Sequence, residues 1–146
     1  MLSINLWISQ ASEIKLELLI YSLTGIFSFA TSSWMIYIIN DLLDIKIDSA
    51  HPIKSKRAIA SGLVTLKVCI MIISTLAFLS IFSSYFLGIY FLTSVIIYQI
   101  LMISYCVYLK KIFLLDILIV SIGYTLRVFG GAMLIRNLGL IDNKIN

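Results

Sequence analysis

Two stretches of this chain carry no charged residue: Leu18 to Ile39 and Val68 to Leu109. A bilayer-crossing helix needs about 20 apolar residues, so the first run is one span and the second, about twice as long, is two. The polar cluster Ser83-Ser84-Tyr85-Phe86-Leu87-Gly88 is the expected break between them. A fourth apolar segment, Ile112 to Ile135, is interrupted only by Asp116 and Arg127. The expected fold is all-α, a polytopic transmembrane helix bundle with four spans near 18–39, 66–86, 89–109 and 112–135. These belong to one transmembrane domain over 1–146, with a polar motif loop at 40–65.

Composition closes off the alternatives. Of 146 residues, 61% are hydrophobic and 12% charged, where an ordinary soluble domain carries roughly twice that charged fraction. Disordered chains are poor in apolar residues, so disorder is excluded as well. The net charge of +4 is, in a membrane protein, a statement about orientation and anionic lipid rather than nucleic acid. Lys46, Lys54, Lys56, Arg57 and Lys67 lie in the first long loop, and Lys110 and Lys111 in the link before the fourth span. Four spans put both on one side, expected to be the cytoplasm, although Lys15, Arg136 and Lys144 dilute the bias. Glu13 and Glu17 stand where a secretory signal would be basic. Cys69 and Cys106 sit in apolar runs and read as small buried hydrophobes. Trp34, Tyr37, Tyr85, Tyr90, Tyr105 and Tyr108 fit an interfacial aromatic belt.

The loop carries the chemistry. In Asn40-Asp41-Leu42-Leu43-Asp44-Ile45-Lys46-Ile47-Asp48, the three aspartates recur at i, i+3 and i+7, one face of a helix. Like charges at that spacing repel, so a divalent cation between them is the expected reason for the pattern. Carboxylates that hold Mg²⁺ leave it free to take phosphate oxygens as further ligands. A solvated acidic helix end is the competing reading. Lys54 and Arg57 follow directly and can meet phosphate oxygens, Arg57 bidentately; the positive-inside signal explains the same cations blandly. His51, before the only proline, reads as a loop-fixing or capping residue.

Asn40-Asp41-x-x-Asp44-x-x-x-Asp48 at the end of an apolar helix resembles the first aspartate motif of the UbiA prenyltransferase superfamily. His51-Pro52-x-Lys54-x-x-Arg57-x-Ile59-Ala60-Ser61-Gly62 is similar to its decaprenyl-phosphate phosphoribosyltransferase branch; aromatic-acceptor members have a different basic pattern here. Tyr105-Cys106-Val107-Tyr108-Leu109-Lys110 with Asp116, and Leu126-Arg127 before Gly130-Gly131-Ala132, resemble later blocks of the same branch. Cys106 replaces a usual Ser and Ala58 a usual Pro, neither of which removes a charge.

The resemblance implies a Mg²⁺-dependent transferase of about nine helices in a bacterial cytoplasmic membrane. The implied donor is phosphoribosyl diphosphate and the acceptor a polyprenyl phosphate. It implies Asp41, Asp44 and Asp48 as metal ligands, with Asn40, Lys54, Arg57 and Arg127 binding substrate and diphosphate. It implies Lys110, Asp116 and Tyr105 as catalytic residues. It covers roughly residues 20–133, without the family's second aspartate motif or its opening helix, so the chain is expected to be a truncated copy. A prenyltransferase with an aromatic or other isoprenoid acceptor is one alternative. A non-catalytic membrane remnant or partner subunit is another.

Asp116 and Arg127 are about 20° from alignment on a helix and about 16 Å apart along it, too far for an ion pair. Their stripe either lines the substrate cavity, or Arg127 binds backbone carbonyls of a neighbour while Gly123 and Gly130 permit close packing.

Overall fold

The computed structural model describes residues 2–112 and 115–137, and among these there is no strand. Helix α1 runs Leu2–Leu43, a short α2 covers Ile45–Ala50, and α3, α4 and α5 span Leu66–Tyr85, Ile89–Val107 and Leu115–Asn137. Among the described residues, four segments are long and apolar enough to cross a membrane: Leu16–Leu43, Leu66–Tyr85, Ile89–Val107 and Ile117–Leu134.

Helix α1 starts well before the expected span and runs 42 residues, about 63 Å. That is about twice the hydrocarbon thickness, so part of the helix lies outside it. No proline precedes Pro52 to interrupt it. The break between α3 and α4 falls at Phe86-Leu87-Gly88, where Gly88 takes a φ of +98° that disfavours any side chain.

Hydroxyls inside the spans fold back on their own helices. Thr24 donates to the Ile20 carbonyl at 2.8 Å, Ser74 to Ile70 at 2.9 Å, Ser94 to Tyr90 at 2.9 Å and Ser121 to Ile117 at 2.8 Å. Each removes a polar group from lipid without a partner helix.

Helix α1 is the hub, packed on α3 and α4, and α5 lies mainly against α4. Two kinds of contact hold the bundle. The α1–α3 seam is made of small hydroxyl residues: Ser28, Ser32, Ser80 and Ser84 are fully buried. Ser32 and Ser80 share a hydrogen bond of 2.6 Å, and Ser80 also donates to the Ser28 carbonyl at 2.9 Å. Gln99 of α4 donates to both Ser32 (3.0 Å) and Ser80 (3.1 Å). Lipid is as apolar as leucine, so close approach and interhelical hydrogen bonds replace the hydrophobic drive here. The second contact is apolar and aromatic, with Phe29, Met35, Leu87, Phe91, Val95, Tyr98 and Leu134 clustered between α1, α4 and α5. Phe29 meets Phe91 and Tyr98 edge-on, each at 5.5 Å between centroids. Gly130 lies where a Cβ would come within 3.1 Å of the Phe29 ring, so its lack of a side chain lets α5 approach. The outward faces, with Ile26, Phe78, Ile117 and Val128 exposed, suit a lipid solvent.

Candidate functional site

The site grows from the loop end of α1. Helix α1 hands over to α2 through Asp44, whose backbone (φ −94°, ψ 4°) leaves the helical path. Helix α2 ends at Ala50 because His51 precedes proline and is extended, at ψ 133°. The His51 ring then fixes the next turn, its Nδ1 accepting from the backbone N–H groups of Ile53 (3.2 Å) and Lys54 (3.3 Å). A 3-10 turn at Lys54–Lys56 follows, and Ile59 is buried beneath the loop. Gly62 turns the chain at φ +77°, and Val64 closes back on the Ala58 carbonyl at 3.2 Å. These contacts present Lys54 and Arg57 toward the aspartates.

The three carboxylates do not form the continuous stripe expected from their spacing. The handover at Asp44 divides them. Arg57 Nη1 donates to Asp41 Oδ1 and Asp48 Oδ2, both at 3.0 Å, so one guanidinium nitrogen draws two carboxylates together. Lys54 Nζ adds a longer contact to Asp48 Oδ1 at 3.7 Å. Asp44 turns instead to Lys110 Nζ at 2.6 Å, and the same ammonium donates to Asn40 Oδ1 at 3.1 Å. Asp48 is the buried member, its side chain 3% exposed against 32% for Asp41 and 24% for Asp44. Lys110 sits in a 3-10 turn at Leu109–Lys111, so its bonds also tie the α4–α5 link to the end of α1.

Among the described residues, no three acidic, His or Cys side chains are grouped closely enough to enclose a metal ion by themselves. The reason is electrostatic. Arg57, Lys54 and Lys110 already neutralise the carboxylates, and like charges left uncompensated would repel. The donor set nevertheless fits Mg²⁺ in its usual mode, in which one or two carboxylates act together with substrate phosphates and water. Asp41 and Asp48, already converging on one cationic atom, are the residues that would hold it, with Asp44 beside them.

The remaining expected residues fall elsewhere. Tyr105 lines a cleft of about 200 Å³ with Tyr98, Met102, Gly123 and Arg127. Asp116 lies in the first turn of α5, and its side chain is outside the described residues. Arg127 is not brought to the aspartates. Its Nη2 donates to Tyr98 Oη at 2.6 Å and to Ser33 Oγ at 3.0 Å. Ser33 is seven residues before Asn40 on α1, about 10 Å further into the membrane. The guanidinium lies over the Tyr98 and Tyr124 rings, 5.0 and 5.4 Å from their centroids. Its Nε is buried with no hydrogen-bond partner. Of the two readings of Arg127, hydroxyls and aromatic faces hold it, no backbone carbonyl among the described residues does, and it borders a cavity. A larger cleft of about 480 Å³, lined by Gly25, Phe29, Phe91, Gly131 and others, meets the smaller one at Ser33 and Arg127.

Tyr98, Ser33 and Gln99 escaped the sequence reading. A signal for Tyr98 existed: unlike the other tyrosines singled out, it lies in mid-span, where a buried phenol needs a hydrogen-bond partner.

The chain matches the UbiA prenyltransferase family over residues 1–140. It is 36% identical over 108 residues to decaprenyl-phosphate phosphoribosyltransferase of Mycolicibacterium smegmatis, covering 74% of this chain and 33% of that protein. The Corynebacterium glutamicum protein of the same name is 32% identical over 110 residues, with 74% and 32% covered. That of Mycobacterium tuberculosis is 29% identical over 108 residues, with 74% and 35% covered. The chain thus spans about a third of the length of these curated relatives.

Proposed function

The chain belongs to the UbiA prenyltransferase family of membrane transferases, and from that premise we propose that its loop site binds the diphosphate of phosphoribosyl diphosphate, with Mg²⁺, for transfer of the 5-phosphoribosyl group to a polyprenyl phosphate. The names of the curated relatives support the donor and acceptor. The observation that carries the reading is the interlocked set of Asp41, Asp44 and Asp48 with Arg57, Lys54 and Lys110, carboxylates and cations within contact of each other at one membrane boundary.

The roles follow from charge. Arg57 offers a planar fork to phosphate oxygens, and Lys54 and Lys110 offer point charges. Asp41 and Asp48, with Asp44 beside them, would supply oxygen donors for the metal, and Asn40 orients Lys110. When bound, Mg²⁺ offsets the negative charge that builds on the departing diphosphate. Transfer breaks the bond between the ribose anomeric carbon and the diphosphate oxygen. It forms a bond from that carbon to an oxygen of the lipid phosphate, and the diphosphate leaves. The lipid phosphate approaches along the cleft beside Tyr105 and Arg127, whose charge no carboxylate among the described residues cancels. Asp116 joins this site by family resemblance.

Donor identity is tested by retention of labelled phosphoribosyl diphosphate on the chain in lipid nanodiscs. Retention with Mg²⁺ that excess pyrophosphate displaces, and that Asp44→Asn abolishes, is expected. Retention of a labelled prenyl diphosphate instead would overturn the choice of donor. We also place the loop in the cytoplasm. Cys69 and Cys106 are buried, so cysteines introduced at Lys56 and Tyr85, both exposed, are the ones to label. An impermeant reagent applied to intact cells should reach Tyr85→Cys and spare Lys56→Cys; the opposite result reverses the orientation.

A further inference from the structure

We propose that Arg57 is a stand-in for the metal. It holds Asp41 and Asp48 on one guanidinium nitrogen, and it passes to a phosphate only when metal and diphosphate arrive together. The inference rests on the metal–diphosphate reading of this site and adds a binding order to it: the two ligands enter as a coupled pair.

Charge balance is the first argument. Asp41, Asp44 and Asp48 face Arg57, Lys54 and Lys110, so the cluster is formally neutral. A divalent cation arriving alone meets carboxylates that are already paired. To bind, it must evict Arg57 and leave a guanidinium without an anion beside a new positive charge. A diphosphate arriving alone must draw Arg57 away from Asp48. That strands a carboxylate only 3% exposed, with Lys54 at 3.7 Å as its remaining cation. Buried charges deprived of a partner are strongly disfavoured. When both arrive, Asp41 and Asp48 pass to the metal and Arg57 to a phosphate oxygen, while Asp44 and Lys110 keep each other, so every charge keeps a partner.

Geometry selects Arg57 as the residue that moves. Its side chain is 47% exposed, while that of Lys110 is 21% exposed and held at 2.6 Å by Asp44. The Arg57 backbone is pinned on both sides, its N–H to the Lys54 carbonyl at 3.0 Å and its carbonyl from Ser61 at 2.8 Å. The guanidinium can therefore swing without unravelling the loop. Coupling of this kind is reciprocal, so metal must strengthen diphosphate binding by the factor that diphosphate strengthens metal binding.

The test uses Mn²⁺ as the metal and inorganic pyrophosphate as the diphosphate, with the full chain in nanodiscs and free Mn²⁺ read by electron paramagnetic resonance. In the wild-type chain, pyrophosphate should tighten Mn²⁺ binding about tenfold or more. Arg57→Gln should bind Mn²⁺ alone about tenfold tighter than wild type and lose most of the pyrophosphate gain. Arg57→Lys keeps a charge for buried Asp48, guards against misfolding, and should fall between the two. If both variants bind Mn²⁺ alone no tighter than wild type while wild type still shows the gain, the stand-in role is wrong and the metal–diphosphate reading survives. If no Mn²⁺ binds with or without pyrophosphate, both fail.

Discussion

The loop site and the Arg127 cluster both hold cations in the same bundle, but they hold them in opposite ways. Arg57 and Lys110 rest on carboxylates. Arg127 rests on a phenol, a serine hydroxyl and two aromatic faces. At the membrane boundary, ions of both signs can be held and exchanged because water can reach them. Deeper in, a paired carboxylate would add a second desolvation cost, and neutral hydroxyls and π faces solvate the arginine instead. The loop cluster pairs three carboxylates with three cations, whereas among the described residues no carboxylate pairs with Arg127.

The largest effect should come from Asp48→Asn, which removes the buried anion on which Arg57 and Lys54 converge. Mg²⁺-dependent binding of the donor should fall about 100-fold or more, near 3 kcal/mol, measured by retention of labelled phosphoribosyl diphosphate. A change under threefold would make the carboxylate cluster a solvated helix end. Arg57→Ala comes next, and it strikes stability. Asp48 then keeps only Lys54, and thermal unfolding in detergent should show a loss of about 2 kcal/mol, below the figure for a fully buried pair because Arg57 is half exposed. Arg127→Leu sharpens the contrast from the other side. It removes two interhelical hydrogen bonds, for a loss of about 1–2 kcal/mol, and should weaken binding of a polyprenyl phosphate while pyrophosphate binding stays within about threefold. Equal loss of both ligands would place Arg127 in the diphosphate site itself. Ser80→Ala is the smallest, about 1 kcal/mol of unfolding free energy, because Ser32 and Gln99 can still bond to each other.

Much of this bundle was legible before any coordinate. Absence of charge marked the spans, and the polar cluster before Gly88 marked a turn that the structure places at Phe86-Leu87-Gly88. The aspartate spacing pointed to the loop site, and the basic residues after it to the cations that sit there. What the sequence could not reveal is which cation meets which carboxylate. Lys110 reaches Asp44 across 66 residues and Arg127 reaches Ser33 across 94, and no local pattern encodes such pairs. Helix faces were equally hidden. In lipid both the buried and the outward faces are apolar, so Phe29 in the core and Phe78 on the outside look alike in the sequence. The division of the acidic stripe at Asp44 is a single-residue departure from the helix, with no glycine or proline at that position to announce it.

The most direct test of the loop site is calorimetric titration of phosphoribosyl diphosphate into the nanodisc-embedded chain, with Mg²⁺ and then with excess chelator. Binding that needs Mg²⁺ and is lost in Asp41→Asn is the predicted result. Binding that persists undiminished in chelator, or that Asp41→Asn leaves unchanged, would contradict the account.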